Sequence, residues 1–207
     1  LRLKIIVRID LRKIVYILRI RLNLELKMKM EKRKLGNIEV TEIGIGTMAF
    51  SHGYGKIPDE AYSIEAIREA YNHGCNFFDT AEVYSPNLQG IGHNELIVGK
   101  ALKDVRDKVV IATKLFLKAS EVVNGDVYGA IKKHLLGSME RLQVKMVDLY
   151  YLHRLSDVPL EEIAKAMGQL IKEGLIRGWV YLKSMSTQLK KLIKLLQYQP
   201  CKIYIIF

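Results

Sequence analysis

Cysteine is scarce in this sequence, which has only Cys75 and Cys201 among its 207 residues. The two lie far apart and match neither a CxxC pair nor a metal-ligand spacing. A reduced, cytosolic setting is therefore favoured over a disulfide framework, and we expect both residues to behave as small buried hydrophobes.

Long apolar runs are also absent. No uninterrupted stretch approaches the roughly 20 apolar residues that a membrane-spanning helix needs, and no signal-peptide layout is visible. We therefore expect a cytoplasmic protein that does not enter a membrane. The histidines other than His153 show no ligand spacing, so we expect no metal site and predict surface or loop positions for His52, His73, His93 and His134.

Positive charge is abundant but concentrated at one end of the chain. The net charge is +11, and residues 1–29 hold nine Lys/Arg and two acidic residues, which leaves 24 basic against 20 acidic residues elsewhere. We therefore interpret 1–29 as a basic extension outside the folded domain and 30–207 as the domain, for which we expect no nucleic-acid partner. The alternative is a basic arm that adds a strand to a partner or contacts polyanions.

Three apolar runs with strand character each end on an ionisable residue. The runs are 76–78, 109–113 and 147–152, and the residues that follow them are Asp79, Lys114 and His153. A loop and a segment of helical periodicity come after each run, so the three ends belong to consecutive βα units and should meet at one edge of a parallel sheet. Tyr84 follows in the loop after Asp79 and completes the group.

These residue types suit one kind of reaction. A tyrosine hydroxyl releases its proton near neutral pH only if a neighbouring positive charge stabilises the phenolate, and Lys114 can supply that charge. Asp79 would hold the lysine charged through an ion pair, and His153 would hydrogen-bond the oxygen of a carbonyl substrate. The reaction class implied is protonation of a carbonyl as a hydride arrives.

In these residues and their flanking motifs, the chain resembles the aldo-keto reductases. The matching motifs occur in the family's order over residues 31–179; the most specific are Asp79-Thr-Ala-x-x-Tyr84, Val110-Ile-Ala-Thr-Lys114, Asp148-Leu-Tyr-Tyr-Leu-His153 and Gly174-Leu-Ile-Arg-Gly178. The resemblance implies a (β/α)8 TIM barrel with an N-terminal β-hairpin. The turn pair Gly36-Asn37 predicts that hairpin, and the residues after it predict a first barrel strand over 42–46. Apolar spacing predicts a late helix near residues 189–196. The resemblance also implies NADPH-dependent reduction of an aldehyde or ketone, with Asp79, Tyr84, Lys114 and His153 as the catalytic set.

The same resemblance implies where the cofactor would lie. Gly46, Thr47 and Met48 would line the nicotinamide ribose, with Asp79 beside them, and Ser184 is a candidate for the carboxamide group. Only six barrel strands can be counted, whereas a (β/α)8 domain takes about 250 residues. We therefore expect an incomplete barrel that lacks the family's grip on the cofactor phosphates, binds NADPH weakly and turns over little.

Two alternatives stay open. Gly44-Ile-Gly-Thr-Met-Ala49 matches the GxGxxA form of the dinucleotide fingerprint, but residues 50–55 intervene before the next helix, and Asp79 lies farther away than a Rossmann ribose acid would. On the functional side, the alternative to an oxidoreductase is a non-catalytic binding module or an inactive fragment on the same scaffold.

The basic extension yields the first prediction. Residues 19–30 alternate strictly between polar and apolar side chains, which is a strand period with no counterpart in the barrel. Deleting residues 1–29 should therefore leave the thermal unfolding temperature and the far-UV circular dichroism of the remaining chain nearly unchanged. Loss of folding on deletion would show that the extension is part of the domain.

Overall fold

The computed structural model describes residues 30–53, 55–86, 90–154 and 157–181, together with the backbone of a short strand at Ile203–Tyr204. The basic extension, Ser184 and the helix expected near residues 189–196 lie outside the described residues. Within the described ranges, no helix is both long and apolar enough to cross a bilayer.

A β-hairpin opens the described part of the chain. Strand β1 (Lys32–Leu35) pairs antiparallel with β2 (Ile38–Thr41). Gly36 takes the positive φ of 57° that the tight turn requires, a conformation that glycine adopts without steric penalty. Ile38 and Val40 turn inward and are almost fully buried. The hairpin predicted from the Gly36-Asn37 pair is confirmed.

A six-stranded parallel sheet follows, with each strand bonded to the next along the chain. Its strands are β3 (Ile45–Gly46), β4 (Phe77–Asp79), β5 (Val110–Leu115), β6 (Val147–Leu152), β7 (Ile176–Tyr181) and β8 (Ile203–Tyr204). The helices between them are α1 (Glu60–Asn72), α2 (His93–Leu102), α3 (Val127–Leu142) and α4 (Leu160–Lys172). This regular alternation confirms an incomplete (β/α)8 barrel. Only a single 3-10 turn, Met48–Phe50, follows the Gly44-x-Gly46 fingerprint, and the first α-helix of the described residues begins at Glu60.

The strand boundaries differ slightly from the sequence prediction. Strand β3 was expected over residues 42–46 but contains only Ile45–Gly46, because the Glu42 amide still donates to the Glu31 carbonyl beside the hairpin. Lys114 lies inside β5 rather than beyond it, since it pairs with Tyr151 of β6 in the sheet. Asp79 is the last residue of β4 and pairs with Gly46 and Ala112.

Alternation along the strands separates two cores. The outer core packs the helices onto the sheet, whereas the inner core packs the sheet onto the hairpin and includes Val110, Ala112, Leu149 and Tyr151. Successive side chains of a strand point to opposite faces, so Lys114 shares the inner face with Ala112. By the same alternation, Asp79 shares a face of the sheet with Phe77, and His153 shares a face with Tyr151. The barrel interior is therefore lined by apolar side chains near the hairpin and by ionisable side chains at the other end.

Two neighbouring leucines of α3 provide a test of the outer core. Leu135 is fully buried and Leu136 is 47% exposed. Leu135→Ala should lower the free energy of unfolding by about 2–5 kcal/mol, because it leaves a cavity in a packed core. Leu136→Ala, with the same change of side chain on the same helix, should change it by no more than about 0.5 kcal/mol. Urea unfolding followed by circular dichroism measures both, and equal effects would contradict this packing.

Candidate active site

The site is organised around the Lys114 ammonium group. Lys114 is only 6% exposed. Its Nζ contacts Asp79 Oδ1, lies 2.7 Å from the Thr80 carbonyl oxygen and lies 3.2 Å from the Tyr84 hydroxyl. An ammonium group has three N–H donors, so these three acceptors match its full donor capacity.

Tyr84 and His153 stand beside this ammonium. The two rings meet edge to face with their centroids 5.7 Å apart. The His153 amide donates to the Leu115 carbonyl at 2.8 Å, which fixes the imidazole just beyond the strand that carries Lys114. Its buried Nδ1 has no hydrogen-bond partner among the described residues. The structure therefore brings Asp79, Tyr84, Lys114 and His153 together.

Burial changes the proton affinities at this site. Burial raises the pKa of Asp79, and the Lys114 ammonium opposes that rise. Burial also lowers the pKa of His153 to about 4, helped by the positive charges of Lys114 and Arg154. Near neutral pH the imidazole of His153 is therefore uncharged, with one ring nitrogen as a donor and the other as an acceptor.

A cleft of about 600 Å³ opens beside these residues. Tyr84 and His153 form part of its wall, and Met48, Val83 and Phe116 supply apolar surface. A small organic molecule in this cleft would meet the phenol and the imidazole together, over a mostly apolar floor, as is common in small-molecule sites.

The expected cofactor residues occupy different positions around the cleft. Met48 lines it, and a methyl group added to Gly46 would meet no atom of the described residues within 4 Å, so the end of β3 faces open space in that part of the chain. Thr47, by contrast, is fully buried. Its amide donates to the Asp79 carbonyl and its carbonyl accepts from Asn94, so its polar groups are engaged within the protein. Ser184 lies outside the described residues.

The prediction for His134 was wrong. This histidine was expected on the surface or in a loop, but it lies on α3 with 13% of its side chain exposed and lines the cleft. Its Nδ1 is 2.8 Å from Oε2 of Glu82, a carboxylate with 1% exposure whose other oxygen accepts from the Phe116 amide. The available signal was helical spacing, since His134 follows the buried Ile131 by three positions.

The described residues contain no group of three or more His, Cys, Asp or Glu side chains arranged to hold a metal ion. Asp148 forms ion pairs with Arg106 at 2.7 Å and with Arg177 at 2.9 Å. It therefore lies in a separate polar cluster, away from the Lys114 group.

The pKa values of the two cleft histidines are shifted in opposite directions. The hydrogen bond that His134 donates to the Glu82 carboxylate raises the pKa of His134 above its ordinary 6.5, whereas burial lowers the pKa of His153 to about 4. The stability that His134 contributes is complete below pH 6.5 and is lost as the pH rises through its raised value. The stability gained by keeping His153 neutral is complete above pH 6.5 and is lost as the pH falls through about 4.

NMR titration of the imidazole resonances tests this difference. Glu82→Gln should bring the pKa of His134 down toward its ordinary value and leave the pKa of His153 near 4. Glu69→Gln, the same change on an exposed surface of α1, should move neither resonance. If His134 and His153 titrate together in the unsubstituted chain, the described environments are incorrect.

Comparison with known proteins agrees with this geometry. The sequence profile of the aldo/keto reductase family matches residues 42–200. The curated protein Probable aldo-keto reductase 1 of Glycine max is 36% identical over 151 residues, which are 70% of this chain and 42% of that protein. Aldo-keto reductase YhdN of Bacillus subtilis (strain 168) is 39% identical over 146 residues, which are 68% of this chain and 43% of that protein.

Solved structures give the same result. Aldo-keto reductase AKR11C1 from Bacillus halodurans, in its holo form, superposes with a TM-score of 0.68 at 31% identity, over 86% of this chain and 58% of that one. An aldo-keto reductase from Klebsiella pneumoniae in complex with NADPH gives 0.65 at 29% identity, over 81% of this chain and 54% of that one. The chain spans less than half the length of the curated relatives it matches. Because the family profile covers most of the sequence, the protein belongs to the aldo-keto reductase family.

Proposed function

We propose that this chain carries the catalytic end of an NADPH-dependent carbonyl reductase that converts an aldehyde or ketone to an alcohol. The observation that carries the proposal is the single ammonium of Lys114, which contacts both the Tyr84 hydroxyl and the Asp79 carboxylate. Family membership supports the reaction class, and the Klebsiella pneumoniae relative in complex with NADPH supports the choice of cofactor.

Tyr84 acts as the general acid. Its oxygen lies 3.2 Å from Lys114 Nζ and accepts a hydrogen bond from it, which leaves the phenolic proton free to be donated to the substrate oxygen. The ammonium then stabilises the phenolate that remains, at a buried position where water screens the interaction weakly. Asp79 keeps the lysine charged by pairing with it.

His153 orients the substrate. Because its pKa lies near 4, the imidazole is neutral at pH 7 and one of its ring nitrogens donates a hydrogen bond to the carbonyl oxygen. The edge-to-face contact between the two rings, both of which line the cleft, supports a joint role with Tyr84. Together they polarise the carbonyl and deliver the proton to one atom.

The chain's residues fit a nicotinamide at the end of β3. The open space above Gly46 adjoins Asp79, its partner in the sheet, and Met48 supplies an apolar wall. When bound, the reduced nicotinamide supplies the hydride. Gly46 and Met48 would line the nicotinamide ribose, whereas Thr47 would support them from behind because its side chain is buried.

Activity and binding assays on matched variants test this function. Tyr84→Phe should lower kcat for aldehyde reduction by about 10² to 10⁴-fold, because it removes only the proton donor. NADPH binding, followed by its fluorescence, should not change in this variant. Tyr62→Phe, the same change at a tyrosine that is 58% exposed on α1, should leave both measurements unaltered.

The outcome also distinguishes a carbonyl reductase from a non-catalytic binding module or inactive fragment. Binding of NADPH with turnover that depends on Tyr84 supports the reductase. Turnover that survives Tyr84→Phe would overturn the assignment of the general acid. A chain that folds but neither binds NADPH nor reduces an aldehyde is the non-catalytic module or inactive fragment.

A further inference from the structure

Asn94, at the start of α2, is fully buried directly behind the candidate catalytic residues. Its Oδ1 lies 2.5 Å from the Thr47 hydroxyl and 2.6 Å from the Thr80 hydroxyl. Its Nδ2 donates to the Thr47 carbonyl and to the Ser51 hydroxyl, each at 2.8 Å. An amide side chain can accept two hydrogen bonds and donate two, so Asn94 uses its full capacity.

These partners belong to segments that reach the site separately. Thr47 and Ser51 flank the short turn after β3, and Thr80 follows β4 directly. The backbone amide of Asn94 also donates to the Tyr84 carbonyl at 3.1 Å. One residue therefore ties together the loop after β3, the end of β4 and the loop that carries Tyr84.

Through Thr80 and Thr47, Asn94 is linked to the groups that surround the Lys114 ammonium. The Thr80 carbonyl accepts directly from Lys114 Nζ at 2.7 Å, and the Thr80 hydroxyl meets Asn94. The Thr47 hydroxyl also lies 2.8 Å from the Asp79 carbonyl oxygen, and its one proton is shared between that oxygen and Asn94 Oδ1. Asn94 thus contacts Thr80 and Tyr84 directly and Asp79 through Thr47, and it does not line the cleft.

We propose that Asn94 is the positioning residue of this site and keeps the Tyr84 hydroxyl against the Lys114 ammonium. Its side-chain amide anchors the start of α2 to the loop after β3 and to Thr80, so that its backbone N–H, which donates to the Tyr84 carbonyl, is held in place. The proposal rests on the proposed function of Tyr84 and Lys114. A misplacement of about 1 Å at a reacting group costs up to about 10²-fold in rate, so a rigid cross-link behind the loop has a direct catalytic consequence. A buried, fully satisfied polar cluster supplies such rigidity.

Fluorine NMR measures the contact without requiring cofactor or turnover. The full chain is prepared with 3-fluorotyrosine at position 84, and its fluorine resonance is compared with and without Lys114→Met. Removal of an ammonium 3.2 Å from the hydroxyl should move the resonance clearly. In an Asn94→Ala background the same lysine substitution should move it by less than half as much, because the hydroxyl is no longer held at the ammonium.

Two further variants keep the result decisive. Thr80→Val removes one of the two hydroxyls that donate to Asn94 Oδ1. It should give an intermediate loss of the Lys114 effect even if Asn94→Ala fails to fold. Ser63→Ala removes a fully buried hydroxyl on α1, where Ser63 bonds the Asp59 carbonyl, and it should leave the Lys114 effect intact. An undiminished effect in both Asn94→Ala and Thr80→Val would overturn the inference.

Kinetics separate this inference from the proposed function. Asn94→Ala should lower kcat by about 10-fold or more, while KM for the aldehyde stays within about twofold, because the substrate never contacts the amide. If Tyr84→Phe abolishes turnover and Asn94→Ala leaves kcat unchanged, the positioning role fails and the catalytic assignment stands. If Lys114→Met does not move the fluorine resonance in the parent chain, the contact on which both depend is absent.

Discussion

The candidate site depends on a buried positive charge that has to be satisfied. Lys114 is 6% exposed, and an ammonium in such a position is stable only when every donor has an acceptor. The acceptors here are a carboxylate, a backbone carbonyl and a phenol, and each comes from the chain between the end of β4 and the following loop. Removing any of them leaves a buried donor unpaired, so the charge itself determines how that loop must fold.

The fold supplies those acceptors through its parallel sheet. Consecutive parallel strands deliver Asp79, Lys114 and His153 to the same edge, and strand alternation points them into the barrel rather than at the helices. The loop that brings Tyr84 back is closed by two backbone bonds, from Gly92 to the Glu82 carbonyl and from Asn94 to the Tyr84 carbonyl. The buried side chain of Glu82 then ties the same loop to Phe116 beyond β5.

A second set of buried charges serves a structural purpose. Glu95 is fully buried, and its two oxygens accept from the Thr113 hydroxyl at 2.5 Å and the Arg141 guanidinium at 2.7 Å. These contacts join α2, β5 and α3 on the outer face of the sheet, and they satisfy the carboxylate completely. His153 is a contrast, because its buried Nδ1 has no hydrogen-bond partner within the part of the chain that the structure describes.

The sequence by itself determined the local structure and indicated the members of the candidate catalytic group. The turn at Gly36, the Asp59 side chain that caps α1 at the Tyr62 amide, and the six residues of β7 could all be predicted, since each depends on neighbours along the chain. Asp79 and Lys114 could be predicted because a strand of period two that ends on a charge indicates the edge of a sheet.

Tertiary structure alone decided what surrounds that group. The pairing of Glu82 with His134 joins residues 52 positions apart, and the pairing of Asn94 with Thr47 joins residues 47 apart. No local pattern encodes such contacts, because they arise only when α2 and α3 pack against the sheet. The neutral state of His153 is of the same kind: its pKa near 4 comes from burial and from the nearby Lys114 and Arg154 charges, which exist only in the folded chain.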